Sequence, residues 1–296
     1  MVTADPVPAS ARVYRLRTRL IQLRKAKGLT CKEVGRRMGK PSKPLAESTV
    51  YRWETPHGAA RLDWKTVMAL CKVYEADDST TEALIALAQD SEVLLGWLES
   101  YGGAPTPYLG TLLGFEATAR RIGIYHNGVI PGLLQTEDYA RPLIAAAVPR
   151  VDAAEVQRRL SIRSERQTSV LDRADPPQVW AVLTEGVLRQ RIVDRAAMRA
   201  QLDRLLELSE RPNITLQVHG FECAATPATG AGPIAVFWMP DTSEPPVVYL
   251  EMAADGLFVE HSFVDRYAEI LDHVRASALA PAESQTRIAT VARDLK

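Results

Sequence analysis

The chain is short of the features that would mark it as secreted or membrane-spanning. Its three cysteines, Cys31, Cys71 and Cys223, lie far apart with no Cys-x-x-Cys pair. An odd, widely spaced set suits neither a disulfide framework nor a zinc site. The first residues, MVTADPVPASARVYRLR, lack the apolar stretch a secretory signal needs. The longest uncharged run near an apolar patch, Cys223–Pro240, is interrupted by Pro227, Gly230, Gly232 and Pro233. It therefore reads as loop and strand instead of a membrane span. On these absences a cytoplasmic location is expected.

What is present is an ordinary core-forming composition, 46% hydrophobic and 24% charged over 296 residues. That length is long for one core and comfortable for two domains. Net charge is formally zero, but unevenly spread. Residues 1–65 hold 15 basic side chains and 5 acidic ones, an excess of ten that the rest of the chain cancels. A basic head on an acidic body points to a polyanion as the head's partner.

Residues 1–11, rich in Pro and Ala, read as disordered. From Arg12 a helical pattern begins, with Leu16, Leu20 and Leu23 on one face, and it stops at Gly28. Thr30 then caps a short helix, with Glu33 completing a capping box. That helix carries Val34, Gly35 and Met38 and leaves at Gly39. A third helix is expected in ESTVYRWE, capped by Glu47 or Ser48, and a fourth over Trp64–Tyr74.

The stretch LRKAKGLTCKEVGRRMG…STVYRWE resembles the Cro/CI, or xenobiotic-response-element, type of helix-turn-helix. In that type the helix beginning near Ser48 enters the major groove of double-stranded DNA. The resemblance implies that Ser48, Thr49 and Tyr51 face base edges, while Arg52 and the Thr30 end of the second helix meet phosphate. Arg24, Lys32, Arg36, Arg37, Lys40 and Lys43 add salt-dependent phosphate attraction. Cys31 stands where the family often has a supporting Gln. The connection Lys40–Ser48, stiffened by Pro41 and Pro44, is longer than the family's usual turn. Either it is an extended loop offering Lys40 and Lys43 to phosphates, or the third helix starts early, near Leu45.

The reading of the rest is α+β. A helical connector spans 77–107, ending in the breaker Gly102–Pro107. With a head over 12–76, it leaves 108–296 for a domain of mainly antiparallel sheet with packed helices. Strands are expected at Arg121–His126, Gln178–Thr184, Ile214–His219, Pro233–Met239, Val247–Met252 and Gly256–Glu260. Helices are expected at Tyr108–Arg120, from Thr136 through Ala147, and at Asp152–Leu171, Asp194–Ser209, His261–Ala278 and Ala282–Leu295. GVIPGLLQTEDYAR, PPQVWAVLTEGVLR and RPNITLQV, in that order, resemble the C-terminal domain of the WhiJ-like regulators of actinomycetes. That resemblance implies an antitoxin-like transcriptional regulator whose gene often lies beside that of a small partner protein.

No catalytic constellation emerges. His57, His126, His219, His261 and His273 are scattered without a metal-binding pair on one helix face. GxSxG and Walker motifs are absent, and GAGPIA (Gly230–Ala235) precedes a strand instead of opening a helix. Asp255 and Glu260 are the kind of carboxylate pair any acidic body contains. No enzyme, cofactor or metal is expected. Tyr125, Trp180, Phe237, Trp238, Tyr249, Glu251 and Phe258 lie on or beside the expected strands, where they could line an effector pocket. Plain core is the stronger reading of the aromatics, since a domain this size needs them. The sequence thus points to a DNA-binding regulator, expected as a homodimer on two half-sites. Its acidic body would dimerise, sense a ligand or hold a partner protein. The alternative is an antitoxin-like module whose main role is to sequester that partner.

Overall fold

The computed structural model describes residues 9–40, 42–55, 62–99, 107–147, 152–240, 246–252, 256–259 and 263–295. Residues 1–8, most of Gly102–Pro107, Pro41, His57, His261, Asp255 and Glu260 lie outside them. The chain divides into two compact units, Met1–Gly114 and Phe115–Lys296.

The first unit is helical: α1 (Ala9–Ala26), α2 (Cys31–Met38), α3 (Glu47–Glu54), α4 (Trp64–Val73), α5 (Asp78–Glu99) and the opening turns of α6 (Pro107–Thr118). α1 is closed by a turn at Gly28, whose φ of 64° only glycine adopts without strain. There Leu29 N–H donates to Arg24 O and Gly28 N–H to Lys25 O, satisfying the last carbonyls. Leu16, Leu20, Val34, Val50, Val67, Leu70 and Tyr74 form the core, joined by Leu84 and Ala88 of α5. α5 therefore belongs to this core and is not a free-standing connector; Leu84 and Ala88 supply apolar area that four short helices lack.

The second unit is built on a six-stranded sheet of order β3-β2-β1-β4-β5-β6. Its strands are β1 (Arg121–His126), β2 (Gln178–Thr184), β3 (Ile214–His219), β4 (Ile234–Trp238), β5 (Val247–Glu251) and β6 (Gly256–Phe258). β1, β2 and β3 pair in parallel, while β1–β4, β4–β5 and β5–β6 are antiparallel, so the α+β unit has a mixed sheet. The parallel steps follow from the long helical connections, since parallel neighbours need a crossover. The first comprises α7 (Glu137–Ala147) and α8 (Ala153–Leu171), the second α9 (Glu185–Arg189) and α10 (Arg195–Ser209). Thr136 caps α7, Asp152 α8 and Asp194 α10.

α11 (Val264–Ser277) packs Leu271 and Val274 on one face of the sheet, against Tyr125, Val182, Val236 and Val248. α12 (Pro281–Asp294) packs on β3. Val218 N–H donates to Ser284 Oγ and Leu279 N–H to Val218 O, so this sheet edge is closed. No helix among the described residues is long and apolar enough to cross a membrane.

Candidate nucleic-acid interface

Thr30 and Glu33 form the expected capping box at α2. Glu33 N–H donates to Thr30 Oγ1 (3.2 Å), and Thr30 N–H to Glu33 Oε2 (2.8 Å). The Thr30 hydroxyl also donates to Glu33 Oε2, so its proton is already committed. These hydrogen bonds from Thr30 hold the Glu33 carboxyl below its usual range. A phosphate at this end of α2 would therefore meet its free backbone N–H groups more readily than the hydroxyl.

The long connection folds back as a loop, and α3 begins only at Glu47, with Ala46 as an N-cap that makes no side-chain bond. Lys43 N–H donates to Lys40 O, closing a tight turn that leaves both lysines exposed. Leu45 N–H donates to Gly35 O at 3.0 Å. A Cβ on Gly35 would stand 2.4 Å from Leu45 O, so only glycine lets the loop lie this close to α2. The exposed side chains of Lys32, Arg36 and Arg37 complete a basic surface on α2.

α3 is fixed from inside by Val50 and Glu54, one helical turn apart. Its other faces leave Ser48, Tyr51 and Arg52 exposed and Thr49 half-buried; Tyr51 is 65% exposed. Glu54 is the anchor that the sequence did not reveal. Its carboxylate accepts from Arg24 Nε (2.7 Å) and from the Tyr74 hydroxyl (2.7 Å), with Cys31 Sγ 4.0 Å away. Burial, then the bond to Glu54, pushes the Tyr74 phenol well above its usual pKa. Arg17 Nη1 donates to Thr55 O just beyond the helix. Arg24 is thus a correction to the sequence reading. Its side chain is 15% exposed and bonded to Glu54 and to Leu29 O, so it holds α3 instead of facing a phosphate.

In the second unit the seven expected pocket residues separate onto opposite faces of the sheet, because side chains alternate along a strand. Tyr125, Trp180 and Trp238 lie on the face covered by α11. Arg275 Cζ sits 4.9 Å from the Trp180 ring centre and 5.8 Å from that of Trp238, whose other contact is Arg121 at 3.7 Å. Trp180 Nε1–H donates to Gln217 Oε1. Phe237, Tyr249, Glu251 and Phe258 lie on the reverse face. There Phe115 stacks with Phe237 at 6.3 Å and packs on Phe258 at 5.6 Å. One pocket lined by all seven is excluded by this register. Glu251 is 58% exposed, with His126 Nε2 3.4 Å away. His219 is half-buried and His273 exposed on α11.

A family model described as a domain of unknown function (DUF5753) matches residues 109–290. The chain belongs to that family. A helix-turn-helix domain model matches residues 15–84, which takes in most of α1, all of α2 to α4 and the start of α5. The protein thus places a helix-turn-helix domain, the architecture of a DNA-binding regulator, before a DUF5753 domain. No curated protein and no solved structure matches the chain.

The DUF5753 unit contains two polar clusters that sequence reasoning missed. Glu185, buried, accepts from Arg189 Nε and from Arg287 of α12, which also reaches Glu222. The other surrounds Arg163 and Arg166 of α8. Neither has a local signature, since each joins residues far apart in the chain.

Proposed function

We propose that this protein is a sequence-specific transcriptional regulator that sets α3 in the major groove of double-stranded DNA. Ser48, Thr49 and Tyr51 would read base edges. Lys32, Arg36, Arg37, Lys40, Lys43 and Arg52, together with the Thr30 end of α2, would hold phosphates. The observation that carries this reading is the division of α3. Val50 and Glu54 lock its inner face, while the large side chain of Tyr51 is left 65% exposed beside Ser48. A single head of this size covers few base pairs, so a homodimer on two half-sites is part of the reading. The Cro/CI-like docking, the relation to the WhiJ-like regulators and a cytoplasmic location belong to it too. It involves no catalytic step and no cofactor.

The DUF5753 unit would dimerise, sense a ligand or hold a small partner protein. A second reading, an antitoxin-like module that mainly sequesters its partner, draws on the exposed apolar side chains of Phe221, Met252, Leu257 and Phe263. Fluorescence anisotropy on the gene's own upstream DNA against scrambled DNA, across a salt series, tests the first reading. Sequence-dependent binding that weakens steeply with salt supports it. Equal, weak binding to both DNAs removes it and leaves the second.

A further inference from the structure

The reverse face of the sheet carries charge that DNA binding does not use. Here α8 presents Arg163 and Arg166 side by side. Arg166 is neutralised by Glu116 of α6, which it grips with Nε and with Nη2, the latter 2.5 Å from Oε1. Arg163 is not neutralised. Its Nη1 donates to the neutral amide oxygen of Gln135, and among the described residues no carboxylate lies within ion-pair distance of it. Gln135 is buried and fixed by its own donation to Ile130 O (2.6 Å), so it aims the guanidinium without cancelling its charge.

The backbone is shaped for this arrangement. A Cβ on Gly132 would stand 3.1 Å from Arg166 Nη1 and 3.7 Å from Arg163 Cζ, so glycine lets the loop lie close to both cations. Gln167 Nε2 straps that loop to α8 through Gly132 O and Gln135 O. His126 ends β1, the strand that leads into this loop. Its Nδ1 accepts from the Gly128 and Val129 N–H groups, which leaves the proton on Nε2, aimed at Glu251 Oε2. Glu251 stands at the same end of the sheet, on the last residue of β5. His126, then Arg166 and Arg163, hold its carboxyl below the usual range.

Two neighbouring cations thus share one dedicated counter-charge, and Glu251, the other carboxylate that acts on both, is on a mostly exposed side chain. Burial draws the Arg163 guanidinium down to about 10, which still leaves it charged at neutral pH. A partly buried cation without an ionic partner is costly to keep. Its place, beyond the carboxyl end of a strand in a parallel pair, is where open sheets with crossover helices receive ligands.

We propose that Arg163, with the His126 Nε2–H, binds the anionic group of a small ligand, a carboxylate or phosphoryl group, in competition with the internal carboxylate of Glu251. The proposal deepens the sensing role offered above for the DUF5753 unit and rests on it. Its test is made without DNA, so its failure and that of the DNA reading are distinguishable.

The full chain is titrated calorimetrically at pH 7 with sodium phosphate and, separately, sodium acetate at matched ionic strength. Saturable one-site binding of either probe is expected, phosphate preference marking a phosphoryl ligand and acetate preference a carboxylate. Arg163→Gln should lose roughly tenfold or more in affinity. Glu251→Gln should gain roughly threefold or more, because a repelling charge at the site is gone. A merely structural cluster would not tighten on losing Glu251. Should Arg163→Gln fail to fold, the comparison of Glu251→Gln with the parent decides alone. Unchanged affinity in Arg163→Gln, no tightening in Glu251→Gln, or no saturable binding to either the parent or Glu251→Gln overturns the proposal.

Discussion

Arg24 Nε lies 2.7 Å from Glu54 Oε2, thirty residues further along the chain, and this pair joins the end of α1 to the end of α3. With Tyr74 on the other carboxylate oxygen, it forms a buried polar cluster within the head's core. Removing one partner leaves a buried charge uncompensated. Glu54→Ala is expected to destabilise the head by about 3 kcal/mol. Hydrogen exchange should show lost protection in α1, α3 and α4, with the DUF5753 unit unchanged. Full protection in the variant would sink the idea.

Tyr51 and Arg52 should separate base reading from phosphate attraction. Arg52→Ala is expected to weaken binding to all sequences alike and to lower the salt slope by about 1. Tyr51→Ala should lower the ratio of specific to scrambled binding by roughly tenfold. Identical effects of the two on that ratio would refute the assignment.

Asp77 caps α5 by accepting from Thr80 N–H, then from the Ser79 and Thr80 hydroxyls, and these bonds hold its pKa at about 2. An unfolded Asp titrates at about 3.9, so the cap's ionic contribution is complete above that pH and is lost as the pH falls towards 2. Asp77→Asn mimics the protonated cap. The gap in unfolding midpoint between parent and variant should be present at pH 5 and nearly closed at pH 2. A gap independent of pH would contradict this.

Glu75 is the one non-glycine residue at positive φ among the described residues, at 52° in the turn that ends α4. Its exposed pair with Lys27 offers little in return, since surface ion pairs contribute weakly. Glu75→Gly should therefore raise the unfolding midpoint by relieving left-handed backbone strain. A lower midpoint would mean that the Lys27 contact dominates.

Gly123, at the centre of β1, has no room for a side chain. A Cβ would come 2.4 Å from Leu271 Cδ2, 2.5 Å from Arg275 Nη2 and 3.1 Å from Trp238. Gly123→Ala is expected to cost about 1–3 kcal/mol by lifting α11 and displacing Arg275 from the tryptophans. Thermal unfolding measures the cost, and an unchanged midpoint would show that α11 yields freely.

Much of the architecture was legible because it is set locally. The Thr30–Glu33 box, the Gly28 terminus and the helix starts at Thr136, Asp152 and Asp194 depend on residues a few positions apart, so their spacing is their mechanism. The α+β class and the positions of the strands followed from apolar patterning in the same way. Arg24 was misread because nothing local distinguishes it from Lys32 or Arg36; its role depends on a carboxylate thirty residues away. The single aromatic pocket failed because membership of the strands was legible, but the face each residue would take was not.

By itself, then, the amino-acid sequence determined the basic helix-turn-helix head, its capped helices and the apolar strands that follow. Helix periodicity, capping and charge balance are properties of neighbouring residues. Only the tertiary structure decided which cations are spent inside the head and that α5 completes its core. It also decided the mixed order of the sheet and the pairing of Arg163 with a neutral amide beside the neutralised Arg166. Those outcomes depend on which distant surfaces meet, and on the counter-charge each meeting supplies.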